Sequence, residues 1–534
     1  MLSVMPIAPA LGQDQDFTGL LREGYISYTQ GNYEGALTAF EKANQIDPMN
    51  DTAWVGMGIA LHNLNRSDEA VQALYRGLEI NPENANAWSY MGFPLNKLGR
   101  YQEAVWAYDN ATRINPGIAE TWYNRGYMLD HLGRREEAIE SYERALNVDP
   151  GYAVAWFNKG LDLGAMRKFA DAADSFAEAI RINPQDASAW YNEGISLNML
   201  GGYDQEAVWA YDNSTRIDPG MAGAWYNRGV TLTSMGRIKE AVESYDNATR
   251  ANPGHAYAWY NKGLNLDYLG KTDEALESYR KAVEVYPNIT RAWNNIGDDL
   301  RKLGRYPEAL ASLDNATRND PGSAVTWNNR GLVLIRLDRY QEALDSFDQS
   351  LKIDKNLTGA WNNKGLALTR LGRQEDALIA FDDAIKVDPG YAEAWLNRGI
   401  AQANLSRYDD ALKSYDHVLE INPNHTEAWY NKGLALGKLN RSQEALDSLD
   451  KAVKISPGMA DAWYARGLAL ARMNRTEDAL KSFDKAIEIK PSYAKAWYNK
   501  GVALKKLDRS TDAKTALTKA RELGYLGRSQ PLLA

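Results

Sequence analysis

Tryptophan recurs along the chain at a nearly constant spacing. The fourteen recurring residues are Trp54, Trp88, Trp122, Trp156, Trp190, Trp225, Trp259, Trp293, Trp327, Trp361, Trp395, Trp429, Trp463 and Trp497. Neighbouring members are 34 residues apart, except for the 35 residues between Trp190 and Trp225. A fixed period of this length indicates one small unit that is repeated and stacked on its neighbours, and not several unrelated domains. The function of such a chain has to be carried by an extended, repetitive surface.

Each period predicts two helices. In a representative unit, Trp122, Gly126 and Leu129 lie at i, i+4 and i+7, which is one face of a helix. Ala138 and Tyr142 begin the matching face of a second helix. The small residues Gly126 and Ala138 mark the places where the two helices approach closely, so the unit is predicted to be an antiparallel helical hairpin.

The order Trp, Gly, Ala, aromatic residue and Pro at these spacings resembles the tetratricopeptide repeat family. A weaker first unit has Leu20 at the tryptophan position, so the resemblance covers fifteen units over residues 17–527. Residues 1–16 and 528–534 are predicted to lie outside the repeats. The resemblance implies an all-α fold, a right-handed α-solenoid (superhelix) of stacked antiparallel helix pairs, and a non-catalytic scaffold that binds other proteins.

Asparagine occupies the position two residues after tryptophan in eleven units. These residues are Asn124, Asn158, Asn192, Asn227, Asn261, Asn295, Asn329, Asn363, Asn397, Asn431 and Asn499. Asparagine is a mediocre helix former, so its recurrence inside a helix indicates a hydrogen-bonding role. The series resembles the asparagine ladder of the O-linked N-acetylglucosamine transferases, which implies that it binds extended peptide backbones. The alternative is that each asparagine ties its own helix to the adjacent repeat.

The residue directly after tryptophan varies along the chain. It is aromatic in one stretch, with Tyr123, Phe157, Tyr191, Tyr226 and Tyr260. It is then asparagine at positions 294, 328 and 362, and tyrosine again at positions 430, 464 and 498. Among these residues Tyr123, Tyr191, Tyr226 and Tyr260 are predicted to take apolar groups of a bound peptide, with packing between repeats as the alternative. The binding groove is therefore predicted to have zones of different polarity.

No pattern in the sequence predicts catalysis, a cofactor, a metal site or a nucleotide site. Gly270, Lys271 and Thr272 end like a phosphate-binding loop, but Asn265 stands where that loop needs its first glycine. The five histidines have no metal-ligand spacing, and the chain contains no cysteine. Because the repeats fill residues 17–527, they leave no room for a separate enzyme domain, and the chain is predicted not to be an enzyme.

Charge and hydropathy exclude two further classes of partner. The net charge of −9 argues against a general nucleic-acid binder, which needs a basic surface to displace counterions from phosphates. No stretch approaches the roughly 18 consecutive apolar residues that indicate a membrane span. The predicted partners are therefore proteins or peptides. Residues 494–527 are the most basic unit, with a balance of +5, which favours a polar cap of the solenoid over a site for an acidic partner.

Two features bear on the location of the protein. Residues 1–16 include Ala8, Pro9 and Ala10 and are interpreted either as the end of an export signal or as a disordered tail. Twelve Asn-x-Ser/Thr sequons begin at Asn50, Asn65, Asn110, Asn213, Asn247, Asn288, Asn315, Asn356, Asn404, Asn424, Asn440 and Asn474. Together these features favour an exported or cell-surface glycoprotein over a cytoplasmic protein. The alternative function is accordingly an exported cell-envelope or carbohydrate-binding structural repeat protein.

Overall fold

The computed structural model describes residues 15–525, which form thirty α-helices and no strand. The first helices of the fifteen pairs are α1 (Gln15–Thr29), α3 (Asp51–Asn63), α5 (Ala85–Lys97), α7 (Ala119–His131), α9 (Ala153–Ala165), α11 (Ala187–Leu200), α13 (Ala222–Ser234), α15 (Ala256–Tyr268), α17 (Thr290–Lys302), α19 (Ala324–Arg336), α21 (Thr358–Arg370), α23 (Ala392–Asn404), α25 (Thr426–Lys438), α27 (Ala460–Arg472) and α29 (Ala494–Lys506). The second helices are α2 (Tyr33–Ile46), α4 (Ser67–Ile80), α6 (Tyr101–Ile114), α8 (Arg135–Val148), α10 (Phe169–Ile182), α12 (Asp204–Ile217), α14 (Ile238–Ala251), α16 (Thr272–Val285), α18 (Tyr306–Asn319), α20 (Tyr340–Ile353), α22 (Gln374–Val387), α24 (Tyr408–Ile421), α26 (Ser442–Ile455), α28 (Thr476–Ile489) and α30 (Ser510–Glu522). The all-α solenoid of helix pairs is therefore confirmed. Residues 1–14 of the segment interpreted as an export signal or a disordered tail, and the whole tail of residues 528–534, lie outside the described residues.

The turn inside each pair has a left-handed residue that ends the first helix. Gly133 has φ 72° after α7, and Gly304 has φ 75° after α17. Asparagine, aspartate, serine or arginine takes the same conformation in seven other turns, for example Asn65 with φ 63°. Glycine reverses the chain there without steric cost, so this residue separates the two helices of a pair.

Close approach of the two helices depends on the glycine four residues after tryptophan. A Cβ atom at Gly126 would lie 2.6 Å from the ring of Tyr142, and one at Gly365 would lie 2.4 Å from the ring of Phe381. Tyr142 and Phe381 are fully buried, as are the alanines that pack beside them. The predicted contact between Gly126 and the second helix is confirmed, and it recurs along the chain because each unit needs the same space.

The periodic indoles fix the connection between pairs. Trp122 donates its Nε1–H to the backbone oxygen of Pro116, six residues earlier, at 2.9 Å. Trp361 makes the same bond to Lys355 at 3.0 Å, although lysine replaces proline there. The indole therefore ties the start of each first helix to the turn before it, independently of the residue that supplies the carbonyl.

Ion pairs join the second helix of one pair to the first helix of the next. They connect the basic residue three places after tryptophan to an acid sixteen residues earlier: Arg125–Asp109 (2.6 Å), Lys159–Glu143 (2.8 Å), Arg228–Asp212 (2.5 Å), Lys262–Asp246 (2.6 Å), Arg330–Asp314 (2.7 Å), Lys364–Asp348 (2.7 Å), Arg398–Asp382 (2.6 Å), Lys432–Asp416 (2.5 Å), Arg466–Asp450 (2.5 Å) and Lys500–Asp484 (2.7 Å). Nine of these cations also lie over the indole of their own repeat, for example Lys262 over Trp259 at 5.1 Å. The contact is part of the repeat framework, because it couples packing on tryptophan with pairing between repeats.

Contacts divide the chain into two compact units, residues 1–275 and residues 276–534, with the division inside α16. Within each unit, every helix packs on its neighbours in sequence. First helices of adjacent pairs also contact each other, as α7 and α9 do in the first unit and α19 and α21 in the second. No contact of similar extent joins the second helices of adjacent pairs in residues 15–525. The side on which first helices meet is called the inner face below.

Candidate functional site

Three rows of side chains run along the inner face. They are defined by their distance from tryptophan: the asparagine row at two residues, the apolar row at five residues and the end row at nine residues. These positions are related as i, i+3 and i+7, so they share one side of each first helix. In α15 the three members are Asn261, Leu264 and Tyr268, of which Leu264 is 38% exposed and Tyr268 is 78% exposed.

Most members of the asparagine row donate a hydrogen bond to the preceding first helix. The side-chain Nδ2 binds a tyrosine hydroxyl in four cases: Asn158 to Tyr123 (2.9 Å), Asn227 to Tyr191 (3.4 Å), Asn261 to Tyr226 (3.2 Å) and Asn499 to Tyr464 (3.0 Å). It binds an asparagine Oδ1 in three cases: Asn329 to Asn294 (3.1 Å), Asn363 to Asn328 (3.0 Å) and Asn397 to Asn362 (2.9 Å). The residue directly after tryptophan is thus the acceptor for the next asparagine, which gives the two sequence positions one joint role.

Three members of the row face a preceding residue that is neither tyrosine nor asparagine. They are Asn124 opposite Ser89, Asn192 opposite Phe157 and Asn431 opposite Leu396. Asn192 binds the backbone oxygen of Ser188 in its own helix instead, at 2.8 Å. The Nδ2 atom of Asn124 is buried without an acceptor in the described part of the chain. Pairing between repeats therefore accounts for seven asparagines but not for these three.

The remaining predicted site residues lie in the same two positions. Asn295 accepts a hydrogen bond from Nδ2 of Asn294 at 3.5 Å. Tyr260 lies in α15 directly after tryptophan, at the register of Tyr226 in α13. The first helices that contain the asparagine pairs, α17 to α23, pack together more extensively than the other neighbouring first helices. The small side chain of asparagine permits this closer contact, whereas tyrosine occupies more space between the helices.

The predicted tyrosines are half-buried and pack against other rings. The ring of Tyr123 lies 5.9 Å from that of Tyr142, and the ring of Tyr191 lies 6.2 Å from that of Tyr211. Burial raises the pKa of Tyr123 and of Tyr191, and the hydrogen bond from the paired asparagine opposes that rise. Both hydroxyls therefore stay protonated at neutral pH, and each retains a proton that it can donate to a carbonyl oxygen.

The apolar row is present in nearly every unit. Its members are Ile59, Phe93, Tyr127, Leu161, Ile195, Val230, Leu264, Leu332, Leu366, Ile400, Leu434, Leu468 and Val502, with Asp298 as the polar exception. Leu161 and Val230 are each 41% exposed, and Leu434 is 40% exposed. Repeated exposure of aliphatic side chains along one stripe is typical of a binding surface.

The end row differs between the two units. In the first unit its later members are Ala165, Met199, Ser234 and Tyr268. In the second unit the row reads Lys302, Arg336, Arg370, Asn404, Lys438, Arg472 and Lys506. All eleven of these side chains are exposed. The second unit therefore carries a row of cations along its inner face, and the corresponding part of the first unit is neutral.

Two acids of the first unit, the buried Asp162 and the half-buried Glu193, have no closely paired cation. Burial raises the pKa of Asp162, and the neighbouring Asp130 adds to the rise, while Arg135 opposes it from 3.7 Å. Burial also raises the pKa of Glu193 to about 7. Its Oε2 atom has no hydrogen-bond partner in residues 15–525. Glu193 occupies the position of the basic residue that forms the ion pair between repeats in ten other repeats. The repeat that contains Glu193 therefore lacks this ion pair.

In the second compact unit, the repeat that contains Trp293 also lacks the ion pair between repeats. Ile296 occupies the basic position, and Arg280 stands where the acid is expected and pairs with Glu308 at 3.7 Å. A cavity of about 440 Å³ lies beside this position and is lined by Trp293, Ile296 and Leu300 among others.

Two classes of site are absent from the part of the chain that the structure describes. No three His, Cys, Asp or Glu side chains in residues 15–525 come together as a metal-binding group. None of the thirty helices described is long and apolar enough to cross a membrane.

Models of the tetratricopeptide repeat match most of the chain. One matches residues 157–222, 226–288, 260–324, 294–357, 430–494 and 464–524. Others match residues 27–92, 119–152, 392–425 and 358–391. No curated protein matches the chain.

Several solved structures are similar to parts or to most of the chain. YrrB, described as a TPR protein with an unusual peptide-binding site, is 28% identical, with a TM-score of 0.31 over 36% of this chain and 98% of its own. MamA from Desulfovibrio magneticus RS-1 is 30% identical, with a TM-score of 0.30 over 32% of this chain and 97% of its own. The APC/C hetero-tetramer Cut9-Hcn1 is 17% identical, with a TM-score of 0.39 over 92% of this chain and 97% of its own.

Sequence reasoning identified the asparagine row but not the two rows beside it. The apolar row and the end row repeat with the same 34-residue period as tryptophan. An alignment of the repeats, compared position by position, therefore reveals both rows. Charge counted in consecutive blocks of sequence located only the last unit as basic. The cations of the second unit are distributed one per unit, which a count along the chain does not reveal.

Proposed function

The chain is a member of the tetratricopeptide repeat family and thus a scaffold for protein–protein interactions, and we propose that it binds extended segments of partner proteins along its inner face. The asparagine row supplies hydrogen bonds to the backbone of the bound segment, and the apolar row contacts its side chains. No chemical step is needed for this role, so the protein acts by holding its partners and not by catalysis.

The asparagine pairs support this proposal because they orient the side-chain amides. In each pair the Nδ2 atom donates to the preceding helix, as Asn363 does to Asn328 at 3.0 Å. The carbonyl Oδ1 of the donating asparagine is then the atom that can accept a backbone N–H from a ligand. A side chain whose orientation is already fixed loses less conformational freedom on binding than a free one.

The spacing of the row suits an extended peptide. Neighbouring helices pack about 10 Å apart, and an extended chain rises about 3.3 Å per residue. Each asparagine would therefore meet about every third residue of the ligand. Carboxamides recognise the peptide backbone and not a particular side chain, so the row predicts affinity for extended segments of varied sequence.

The strongest support for the proposal comes from the three asparagines that have no partner in the preceding helix. Asn124, Asn192 and Asn431 recur in register although no tyrosine or asparagine faces them. The buried Nδ2 of Asn124 has an unsatisfied donor, and a polar group in that condition costs about 1–3 kcal/mol. Because this donor is buried, a ligand carbonyl oxygen would satisfy it only after the side chain turns towards the inner face.

The experiment uses the full chain and 15-residue peptides selected on it from a randomised display library. The variant Asn124→Ala/Asn192→Ala removes two side chains of the first unit that do not pair with the preceding helix and that lie two repeats apart, within the reach of one 15-residue peptide. We expect unchanged helical circular dichroism and affinity reduced by roughly fivefold or more, because each of the two lost hydrogen bonds is worth about 0.5–1.5 kcal/mol. Binding is measured by fluorescence anisotropy.

The matched control replaces two asparagines on second helices of the same unit, Asn110 and Asn247, with alanine. This control changes the same residue type in the same number and should leave the affinity within about twofold. Equal affinity of the inner-face variant and the unmodified chain would refute backbone recognition by the asparagine row, although the scaffold role would remain.

Carbohydrate binding is a second candidate with a narrower basis. Trp106 and Trp209 lie on second helices and are 48% and 56% exposed. Each stacks edge to face on a framework indole, Trp88 and Trp190 respectively, with ring centroids 4.8 Å apart. An exposed indole is a stacking platform for a sugar ring. A glycan array probed with the unmodified chain and with Trp106→Ala/Trp209→Ala separates this candidate from peptide binding.

A further inference from the structure

The cations of the end row in the second unit take no part in the glycine, tryptophan and ion-pair contacts of the framework described above. Arg336, Arg370, Lys438, Arg472 and Lys506 each lie at the last residue of a first helix and are exposed. Cations at helix C-termini gain about 0.3–1 kcal/mol from the helix dipole. The first helices of the first unit have the same dipole, yet the corresponding residues in α9, α11, α13 and α15 are uncharged. The dipole alone therefore does not account for the row.

Contacts place the end row across the C-terminal ends of the preceding first helices. Arg472 donates to the backbone oxygen of Gly437 in α25 at 2.5 Å. Lys506 donates to Oδ1 of Asn474, the turn residue 32 positions earlier, at 2.9 Å. The cations therefore lie along the same side of the helices as the asparagine row, seven residues further towards the C-terminal ends.

The surroundings of the row contain few acids that would neutralise it. At the spacing of 32 residues that joins Lys506 to Asn474, Arg336 is in register with the turn residue Gly304 and Lys438 with Ser406. Arg370 faces the turn that contains Asp338, where the hydroxyl of Tyr340 donates to that carboxylate. Lys302, at the start of the row, pairs with Asp298 at 3.0 Å and with Asp299 at 3.1 Å. The charge is thus uncompensated mainly from Arg336 onwards.

We propose that the inner face of the second unit binds an extended acidic segment of a partner protein, with carboxylates of the segment against Arg336, Arg370, Lys438, Arg472 and Lys506. This inference rests on the proposed function, because it assigns the chemistry of the segment that the asparagine row holds. A helix spacing of about 10 Å requires an acidic residue about every third position of an extended ligand. Apolar residues between the acids would contact Leu332, Leu366 and Leu434 of the apolar row.

A peptide fits these observations better than a nucleic acid. The chain has a net charge of −9, and its cations alternate on the inner face with carboxamides and aliphatic side chains. A nucleic-acid site needs a continuous basic surface that neutralises many phosphates. The mixed stripe instead offers backbone hydrogen bonds, apolar contacts and one charge per unit.

The experiment measures anisotropy of fluorescein-labelled 15-residue peptides built from five Ser-Leu-Glu triplets, with Ser-Leu-Gln and Ser-Leu-Lys peptides for comparison. The full chain is used at 50 mM and 300 mM salt, and a 15-nucleotide oligothymidylate is the nucleic-acid probe. We expect the glutamate peptide to bind at least fivefold more tightly than the glutamine peptide at low salt. This preference should shrink at high salt, since exposed charges are screened.

The test variant is Arg336→Ser/Arg370→Ser/Lys438→Ser, because serine occupies the end row at Ser234. It should abolish the preference for glutamate and leave affinity for the glutamine peptide within about twofold. The matched control, Arg318→Ser/Lys352→Ser/Lys386→Ser, makes the same charge change at exposed positions of second helices and should retain the preference. Circular dichroism melting verifies that both variants fold.

Three outcomes overturn the inference. They are equal binding of the glutamate and glutamine peptides, an equal loss of preference in the test and control variants, or tighter binding of oligothymidylate than of the glutamate peptide. In the first case, glutamine-peptide binding that remains sensitive to Asn431→Ala upholds the proposed function while the acidic partner is refuted. If no peptide of the series binds, the acidic partner is refuted and the selected library peptides judge the proposed function separately.

Discussion

The two compact units share one helical framework but present different inner faces. In both units, glycine approaches a buried ring, tryptophan binds the preceding turn, and a basic residue pairs with an acid sixteen residues earlier. The end row, however, is neutral in much of the first unit and basic in the second. Framework side chains are enclosed by neighbouring helices, so changes there are costly, whereas side chains of the inner face border solvent and can vary with the ligand.

The two units also differ in the direction in which the pKa values of their partly buried acids are shifted. In the first unit, burial raises the pKa of Glu193 to about 7, and no cation compensates. In the second unit, burial of Asp298 acts in the same direction, but hydrogen bonds from Arg301 and Lys302 outweigh it and leave its pKa below the ordinary value. Similar burial therefore gives opposite pKa shifts, because the nearby charges differ.

The largest expected effect concerns the close packing of glycine against a buried ring. It tests whether this packing is equally close in both compact units. Gly160→Ala and Gly365→Ala place a Cβ atom 2.7 Å and 2.4 Å from the buried rings of Phe176 and Phe381. We expect each to destabilise its unit by about 1–3 kcal/mol, because the rings have no free space to move into. Hydrogen exchange measured by mass spectrometry reports the loss locally, since repeat proteins unfold in parts.

The controls are Gly164→Ala in the first unit and Gly359→Ala in the second. Both are helical glycines with no atom within 4 Å of an added Cβ, so alanine should be neutral or stabilise by up to about 1 kcal/mol. A large loss of stability for Gly160→Ala together with an unchanged stability for Gly365→Ala would show that the two frameworks are not equivalent.

The second largest effect is expected in the pH dependence of stability, which should differ between the two units. Glu193 has a raised pKa in the folded state, so its stabilising contribution is complete below about pH 4 and is lost as the pH rises to about 7. Glu193→Gln should therefore stabilise the first unit by about 1–2 kcal/mol at pH 8 and have little effect at pH 4, after allowance for solvent screening. Urea denaturation at the two pH values measures the difference.

Asp298 provides the opposite case in the second unit. Its pKa is lowered, so its contribution is present above the ordinary aspartate pKa and is lost as the pH falls through the folded value. Asp298→Asn should therefore destabilise at pH 7 and matter less at pH 3. A pH dependence of the same sign in both variants would remove this contrast between the units.

A smaller effect concerns the hydrogen bond that orients the asparagine row. Tyr226→Phe removes the acceptor of Asn261 and should cost about 0.5–1.5 kcal/mol, which is typical of one hydrogen bond. The reverse change, Phe157→Tyr, offers Asn192 a hydroxyl like that of Tyr123 and should stabilise by a similar or smaller amount. Thermal melting followed by circular dichroism measures both, and a loss of stability in Phe157→Tyr would contradict the pairing rule.

The smallest expected effect compares the turns. Lys355 lies six residues before Trp361, where every other periodic tryptophan has proline. Its carbonyl accepts the bond from Trp361 at 3.0 Å, as Pro321 accepts from Trp327 at 3.0 Å. Lys355→Pro should stabilise the second unit by about 0.4–1 kcal/mol, because the unfolded chain loses freedom while the folded turn is unchanged. A lower melting temperature would show that this turn differs from the others.

Much of the fold followed from the spacing of a few residues. Trp122, Gly126 and Tyr142 identified the helical pair, and the glycine was correctly placed against the ring of the second helix. The sequence offered a tie between each asparagine and the adjacent repeat as one alternative, but it did not identify Tyr123 as the acceptor of Asn158. The two residues are 35 positions apart, and only the stacking of adjacent first helices brings them together.

The sequence by itself determined the repeated helical pair, because the 34-residue period and its small and aromatic positions admit one way of packing two helices. Tertiary structure decided which side chains act together. Asn329 and Asn294 pair, Asn431 stays unpaired opposite Leu396, and Arg336 joins a row of cations that no stretch of sequence contains. The physical reason is that a solenoid brings residues one period apart into contact, so the properties of its surface are set by register across repeats.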